Sequence, residues 1–166
     1  MTLKEAAQKA QRLRKNLPRQ VAKSIQRNRI VTIELVKTQL LSGVDKNSVF
    51  LSPTYTQDPF FQNTEAATRY KDRKDELLSS HNSRKLVQDL FKAKPDDVPN
   101  LIYSGQFHDK IKMRVIGTEV EFTSTWAKAP RVQAKYPTAL GIAEPSFTYL
   151  WNTHIKHDLV SYFYGM

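Results

Sequence analysis

The residues with the widest chemical range in this chain are its four histidines, His81, His108, His154 and His157. His154 and His157 stand three apart with Asp158 beside them, a spacing that sets two imidazoles on one helical face, where a metal ion could be held. A metal site needs further ligands. None follows at a usable spacing and the chain has no cysteine, so these read as surface or interface histidines and no metal or cofactor is expected. His108-Asp109 pairs an imidazole with a carboxylate next to a strand, where adjacent side chains point to opposite faces and do not share chemistry. Ser104-Gly105 lacks the strand–turn–helix context of an activated serine, and no glycine-rich phosphate loop occurs. A small enzyme with a histidine-based site remains a formal reading; no catalytic residue is assigned.

Basic residues carry a stronger pattern. Arg12, Lys15, Arg19, Lys23 and Arg27 recur every three or four positions, so a helix would carry them on one side, facing phosphates or an acidic partner. The same arrangement also describes the solvated face of an amphipathic helix. No zinc finger, RNA-recognition or helix-turn-helix signature accompanies it, so contact with nucleic acid would be through the backbone only.

Of the net charge of +10, residues 1–30 hold +8: nine basic side chains stand there against Glu5 alone, leaving +2 for the rest. With 166 residues the chain fits one domain, 1–166, in which 1–29 form a basic helical arm and 44–63 a long loop. No disulfide or thiolate site is possible without cysteine. The N-terminus has no apolar stretch of the signal-peptide kind, and no apolar run approaches the roughly 20 residues that span a bilayer. A soluble protein with no membrane partner is expected.

The elements that must position these residues read as follows. Leu3, Ala6, Ala7, Ala10, Leu13 and Leu17 step by three and four behind a Thr2–Glu5 capping box, and Pro18 is expected to kink or briefly break that helix. Val21, Ala22 and Ile25 continue the stripe. A second helix over 30–41 would bury Ile30, Ile33, Val36, Leu40 and Leu41 and stop at Gly43. Residues 44–63 form an irregular loop pinned by Phe50, Leu51, Phe60 and Phe61. A polar helix over 65–79 follows, anchored by Tyr70, Leu77 and Leu78, then a short helix with Leu86, Leu90 and Phe91. Residues 127–143 lack clear periodicity. A last helix starts near Pro145 and buries Phe147, Leu150, Trp151, Ile155, Leu159 and Phe163.

Between them lies the sharpest local signal. Ile111, Met113 and Val115 alternate with Lys110, Lys112 and Arg114. After Gly117-Thr118, Val120, Phe122, Ser124 and Trp126 alternate with Glu119, Glu121, Thr123 and Thr125. Two period-2 runs around a two-residue turn specify an antiparallel hairpin in which Val115 faces Val120, Met113 faces Phe122 and, on the outer side, Arg114 faces Glu121. Gly117 in first place suits a type II′ turn. The fold class is therefore α+β: N-terminal helices, a central antiparallel β-hairpin or small sheet, and a C-terminal helix packed on it.

This order resembles head–tail joining and tail completion (neck) proteins of tailed bacteriophages. The likeness rests on the basic N-terminal helices, Gly43-Val-Asp and Leu51-Ser-Pro-Thr-Tyr in the central loop, the cassette Tyr103-Ser-Gly-Gln-Phe-His-Asp-Lys-Ile, and Tyr136-Pro-Thr-Ala-Leu-Gly-Ile. It is plainest over 99–163 and looser over 30–60; the polar stretch 62–98 departs from the compact family pattern. The resemblance implies a structural virion protein without enzymatic activity, assembled in the host cytoplasm as a homo-oligomeric ring at the connector, neck or tail terminus. It implies portal, adaptor or tail proteins as partners, and DNA passing through the ring. Its ring interface would fall on the hairpin, the 44–61 loop and the terminal helix, with Phe50, Tyr55, Phe60, Phe61, Arg114, Glu121, Trp126, Trp151 and Tyr162 as contact residues. The alternative is a nucleic-acid-binding accessory protein using the basic N-terminal helix.

Overall fold

The Thr2 hydroxyl accepts from the Glu5 amide (3.3 Å) and the Glu5 carboxylate accepts from the Thr2 amide (2.7 Å), closing the expected capping box at the start of α1, Leu3–Arg27. In the computed structural model, residues 2–80, 84–102 and 104–164 are described. His81 and Tyr103 lie outside the described residues, as do the side chains of Ala6, Leu77 and Leu78. Helix α1 does not break at Pro18; it runs on for 25 residues. Pro18 and Arg14 are both exposed, so the Arg14 carbonyl left without an amide partner faces solvent rather than a dry core.

Asn28 joins α1 to α2, Arg29–Leu41. The expected burial of α2 needs correcting: Ile30 is 75 % exposed, while Leu35, Thr32, Thr38 and Gln39 are buried beside Val36 and Leu40. This helix is enclosed on both sides. Val36 and Leu40 pack with Leu51, Val98, Phe107, Ile111, Ala129, Tyr136 and Ala139, whereas Leu35 packs with Ile25, Met113, Leu150, Ile155 and Leu159. Ile33, Phe122 and Ile142 touch both groups and join them into one core. Gly43 ends the helix at φ +67°, and an isolated bridge between Val44 and Phe50 opens the loop.

Helix α3 is Thr64–Ser80 and α4 is the single turn Gln106–Asp109. The hairpin follows as β1, Ile111–Ile116, and β2, Glu119–Ser124, with the expected register: Met113 opposite Phe122, Arg114 opposite Glu121, Val115 opposite Val120. Gly117 carries φ +63° and Thr118 no positive φ, as a type II′ turn requires. Among the described residues the sheet has these two strands. Helices α5 (Ala129–Lys135), α6 (Glu144–Leu150) and α7 (Lys156–Tyr164) complete the α+β fold.

One local expectation is overturned and two are refined. The segment around Leu86, Leu90 and Phe91 is not helical: Asp89 sits at φ +53°, and the Leu86 amide donates to the Thr38 hydroxyl (2.8 Å) instead of to a helical carbonyl. Residues 127–143 do contain a helix, α5, whose Ala129 and Val132 pack against the core together with Tyr136 just beyond its end. Seven residues hold too few turns to show a period. The terminal helix is interrupted by a wide turn, Trp151–Ile155, where the Lys156 amide donates to the Trp151 carbonyl. Among the described residues no helix is long and apolar enough to cross a membrane.

Candidate interaction site

Helix α1 has two parts. From Val21 onward Ala22, Ser24 and Ile25 are buried against the body, and Asp158 of α7 accepts from the Ser24 hydroxyl (2.5 Å) and the Asn28 side-chain amide (3.3 Å). Among the described residues, the side chains before Gln20 are exposed apart from a half-buried Leu13; Leu3 is 92 % exposed. At 100° per residue, Leu3, Ala7, Ala10, Leu13 and Leu17 share the side of the helix that Val21 and Ile25 bury. The apolar stripe thus begins in the core and runs out uncovered. Lys4, Arg12, Lys15, Arg19 and Lys23 lie on the opposite side.

The five expected basic contacts are all exposed, but the fold divides them. Arg19 and Lys23 line a groove of about 480 Å³ between α1 and β1, joined there by Arg29 and Arg114. Arg27 lies elsewhere, beside Asp158 and Tyr162. Spacing along α1 does not point to Arg29 or Arg114, because one belongs to the next helix and the other to a strand. No local spacing connects them to α1.

The expected interface residues scatter. Phe60 is 78 % exposed and Phe50 also faces solvent. Phe61 is half-buried against Tyr70 (ring centroids 5.1 Å apart), Trp151 packs on Phe147 (6.3 Å) and Tyr162 on Phe163 (5.5 Å). Arg114 and Glu121 are exposed cross-strand neighbours. Two expectations move inward. Trp126 is half-buried against Phe107, and Tyr55 is buried, so Tyr55, with Leu51, pins the 44–63 loop in place of Phe50 and Phe60.

Tyr55 belongs to a cleft of about 300 Å³ walled by Phe60, Phe61, Tyr70, Phe107, Trp126 and Tyr136. Lys74 enters it from α3. Although a helix rich in mixed charges reads as solvated, Lys74 is only 6 % exposed; its ammonium donates to the Tyr55 hydroxyl (2.6 Å) and the Asn100 side-chain carbonyl (3.2 Å). Burial lowers its pKa to about 8, with Asp75 opposing and Lys94 and Lys135 adding to the effect. Burial likewise raises the Tyr55 and Tyr136 hydroxyls. At the cleft's rim the buried Asp58 is paired with the Lys135 ammonium. The signal in the sequence was the spacing Ala67–Tyr70–Lys74, one face of α3, masked by the charged residues between.

The histidines do not converge. His108 lies on α4, not on a strand; it is buried, with Nε2 3.0 Å from the Asn100 carbonyl, while Asp109 is exposed. His154 sits in the wide turn and His157 faces solvent, and Asp158 is committed to α1. Among the described residues no group of three or more His, Asp or Glu side chains could hold a metal ion. No family model, no curated protein and no solved structure matches the chain.

Proposed function

We propose that this protein is a structural subunit without catalytic activity that assembles into a ring at the head–tail connector, neck or tail terminus of a tailed bacteriophage. The observation that carries the reading is the uncovered apolar stripe of α1. Leu3 and Leu17 are exposed and Leu13 is only half-buried, so this side of the arm leaves apolar surface in water until another surface covers it. A ring contact is heterologous and needs two different faces. The stripe supplies one; the exposed Val49, Phe50 and Phe60 of the 44–63 loop supply the other on the neighbouring copy. Support also comes from the order of helices, loop, hairpin and terminal helix, which parallels the neck-protein resemblance. In the particle, portal, adaptor or tail proteins would flank the ring.

The test is the mass of the full chain by light scattering, alone and mixed with particle components, with imaging of any assembly. Rings are expected, and Leu3→Gln/Leu13→Gln/Leu17→Gln is expected to remain monomeric with unchanged helix content. Strictly monomeric wild-type protein under both conditions would overturn the proposal. The nucleic-acid reading is favoured by one separate observation, the gathering of Arg19 and Lys23 with Arg29 and Arg114.

A further inference from the structure

We infer that the groove between α1 and β1 is a phosphodiester-binding site that holds the backbone of a nucleic acid without reading its sequence. Its rim carries Arg19, Lys23, Arg29 and Arg114, with no carboxylate among the lining residues; Ala22, Met113 and Val115 form part of the remaining wall. The four cations come from three elements, α1, the first residue of α2, and β1, so the tertiary fold alone gathers them. All four are exposed. Like charges placed around one concavity focus a positive potential that an anion relieves. Three of them are arginines, whose planar fork matches a phosphate with two parallel hydrogen bonds.

The shape of the charge selects the ligand. Lys4, Arg12 and Lys15 continue the same side of α1 outward from the groove. From Lys4 to Lys23 the helical rise is about 28 Å, most of the roughly 34 Å of one duplex turn. A straight row of cations suits a linear polyanion better than a compact ion. A protein partner would draw on apolar anchors at the centre of its contact, and on the arm these lie on the opposite side. Two carboxylates compete: Glu121 stands opposite Arg114 across the hairpin, outside the groove lining, and Glu5 shares the basic side of α1, its carboxylate held in the capping box by the Thr2 amide. The groove acts whether or not the chain forms rings, so its failure and the failure of ring assembly are separate results.

The experiment measures fluorescence anisotropy of the full chain with a 20-base-pair duplex and with a single strand of equal length, over a series of salt concentrations. Binding is expected to weaken steeply with salt, and the stronger of the two probes identifies which form of the backbone the groove takes. Arg29→Gln/Arg114→Gln is expected to lose about tenfold or more in affinity, and about two phosphate contacts from the salt slope, roughly 0.9 for each on duplex. Lys92→Gln/Lys128→Gln removes the same charge from exposed sites outside the groove and is expected to lose less than about twofold. Glu121→Gln should bind more tightly than wild type. Unchanged circular dichroism certifies each variant as folded. Three results overturn the inference: no binding to either probe at low salt, equal losses in the two double variants, or displacement of DNA by poly-glutamate at equal charge concentration.

Discussion

The Lys74 ammonium donates a 2.6 Å hydrogen bond to the Tyr55 hydroxyl inside the body, joining a helix that reads as solvated to a loop that reads as irregular. Burial has lowered the lysine's pKa from 10.5 to about 8. Between those values the unfolded chain holds a proton that the folded chain releases, so stability rises with pH across that window. Below it both states are protonated and the contribution is flat and at its least favourable. The span corresponds to on the order of 3 kcal/mol. Tyr55 and Tyr136 act in the other sense: burial raises them above their ordinary 10.0, so the stability they lend is present below that value and is lost as pH rises through their folded pKa values. The interval free of the tyrosines is therefore between about pH 8 and 10. Urea midpoints of the wild type should climb across it and those of Lys74→Met should climb less, the remainder coming from Lys94, whose pKa burial also lowers. An equal climb in both would assign the effect to other groups.

Tyr55→Phe keeps the ring and removes the acceptor. The Lys74 ammonium then keeps Asn100 as its acceptor, and a cost of about 1–3 kcal/mol in denaturant titration is expected. No measurable loss would mean that the hydroxyl is not supporting the buried charge.

Gln39 is fully buried and holds the segment before α6 by two backbone bonds, donating to the Gly141 carbonyl (3.1 Å) and accepting from the Ala143 amide (2.7 Å). Gln39→Leu leaves both groups unpaired, at about 1–3 kcal/mol for each that stays buried. Calorimetry checks this; an unchanged melting temperature would show that the segment finds other partners.

Gly43→Ala tests the loop entrance. A Cβ at φ +67° would lie 2.6 Å from the Val98 Cγ1 atom and 3.0 Å from the Lys94 Cγ atom, and Val98 is itself buried. Strain and overlap together should cost about 1–3 kcal/mol or more. A stability equal to wild type would refute the geometry.

Asp158→Ala removes the acceptor of the Ser24 hydroxyl and one of the two acceptors of the Asn28 side-chain amide, which keeps the Ser24 carbonyl, where α7 grips α1. A loss of about 1.5–3 kcal/mol is expected, with faster amide exchange at the end of α1. If exchange quickened evenly over the whole molecule, the bond would not be what anchors the arm.

The sequence by itself determined what is local. A capping box, a two-period alternation around Gly117-Thr118, and a glycine where α2 must stop each specify their element through near neighbours, so the arm, α2 and the hairpin register were legible. Long-range partners decided the rest. The Leu86 amide bonds to Thr38 and no helix forms there; α5 exists because Ala129 and Val132 find the core; Ile30 turns outward while Gln39 is enclosed. The sites divide the same way. A basic face on α1 is written in its spacing, but Arg29 and Arg114 reach Arg19 and Lys23 only when β1 folds back beside α1. The burial of Lys74 likewise follows from a loop far from it in the chain. Spacing sets which side of an element a residue occupies, and only tertiary packing decides what that side meets.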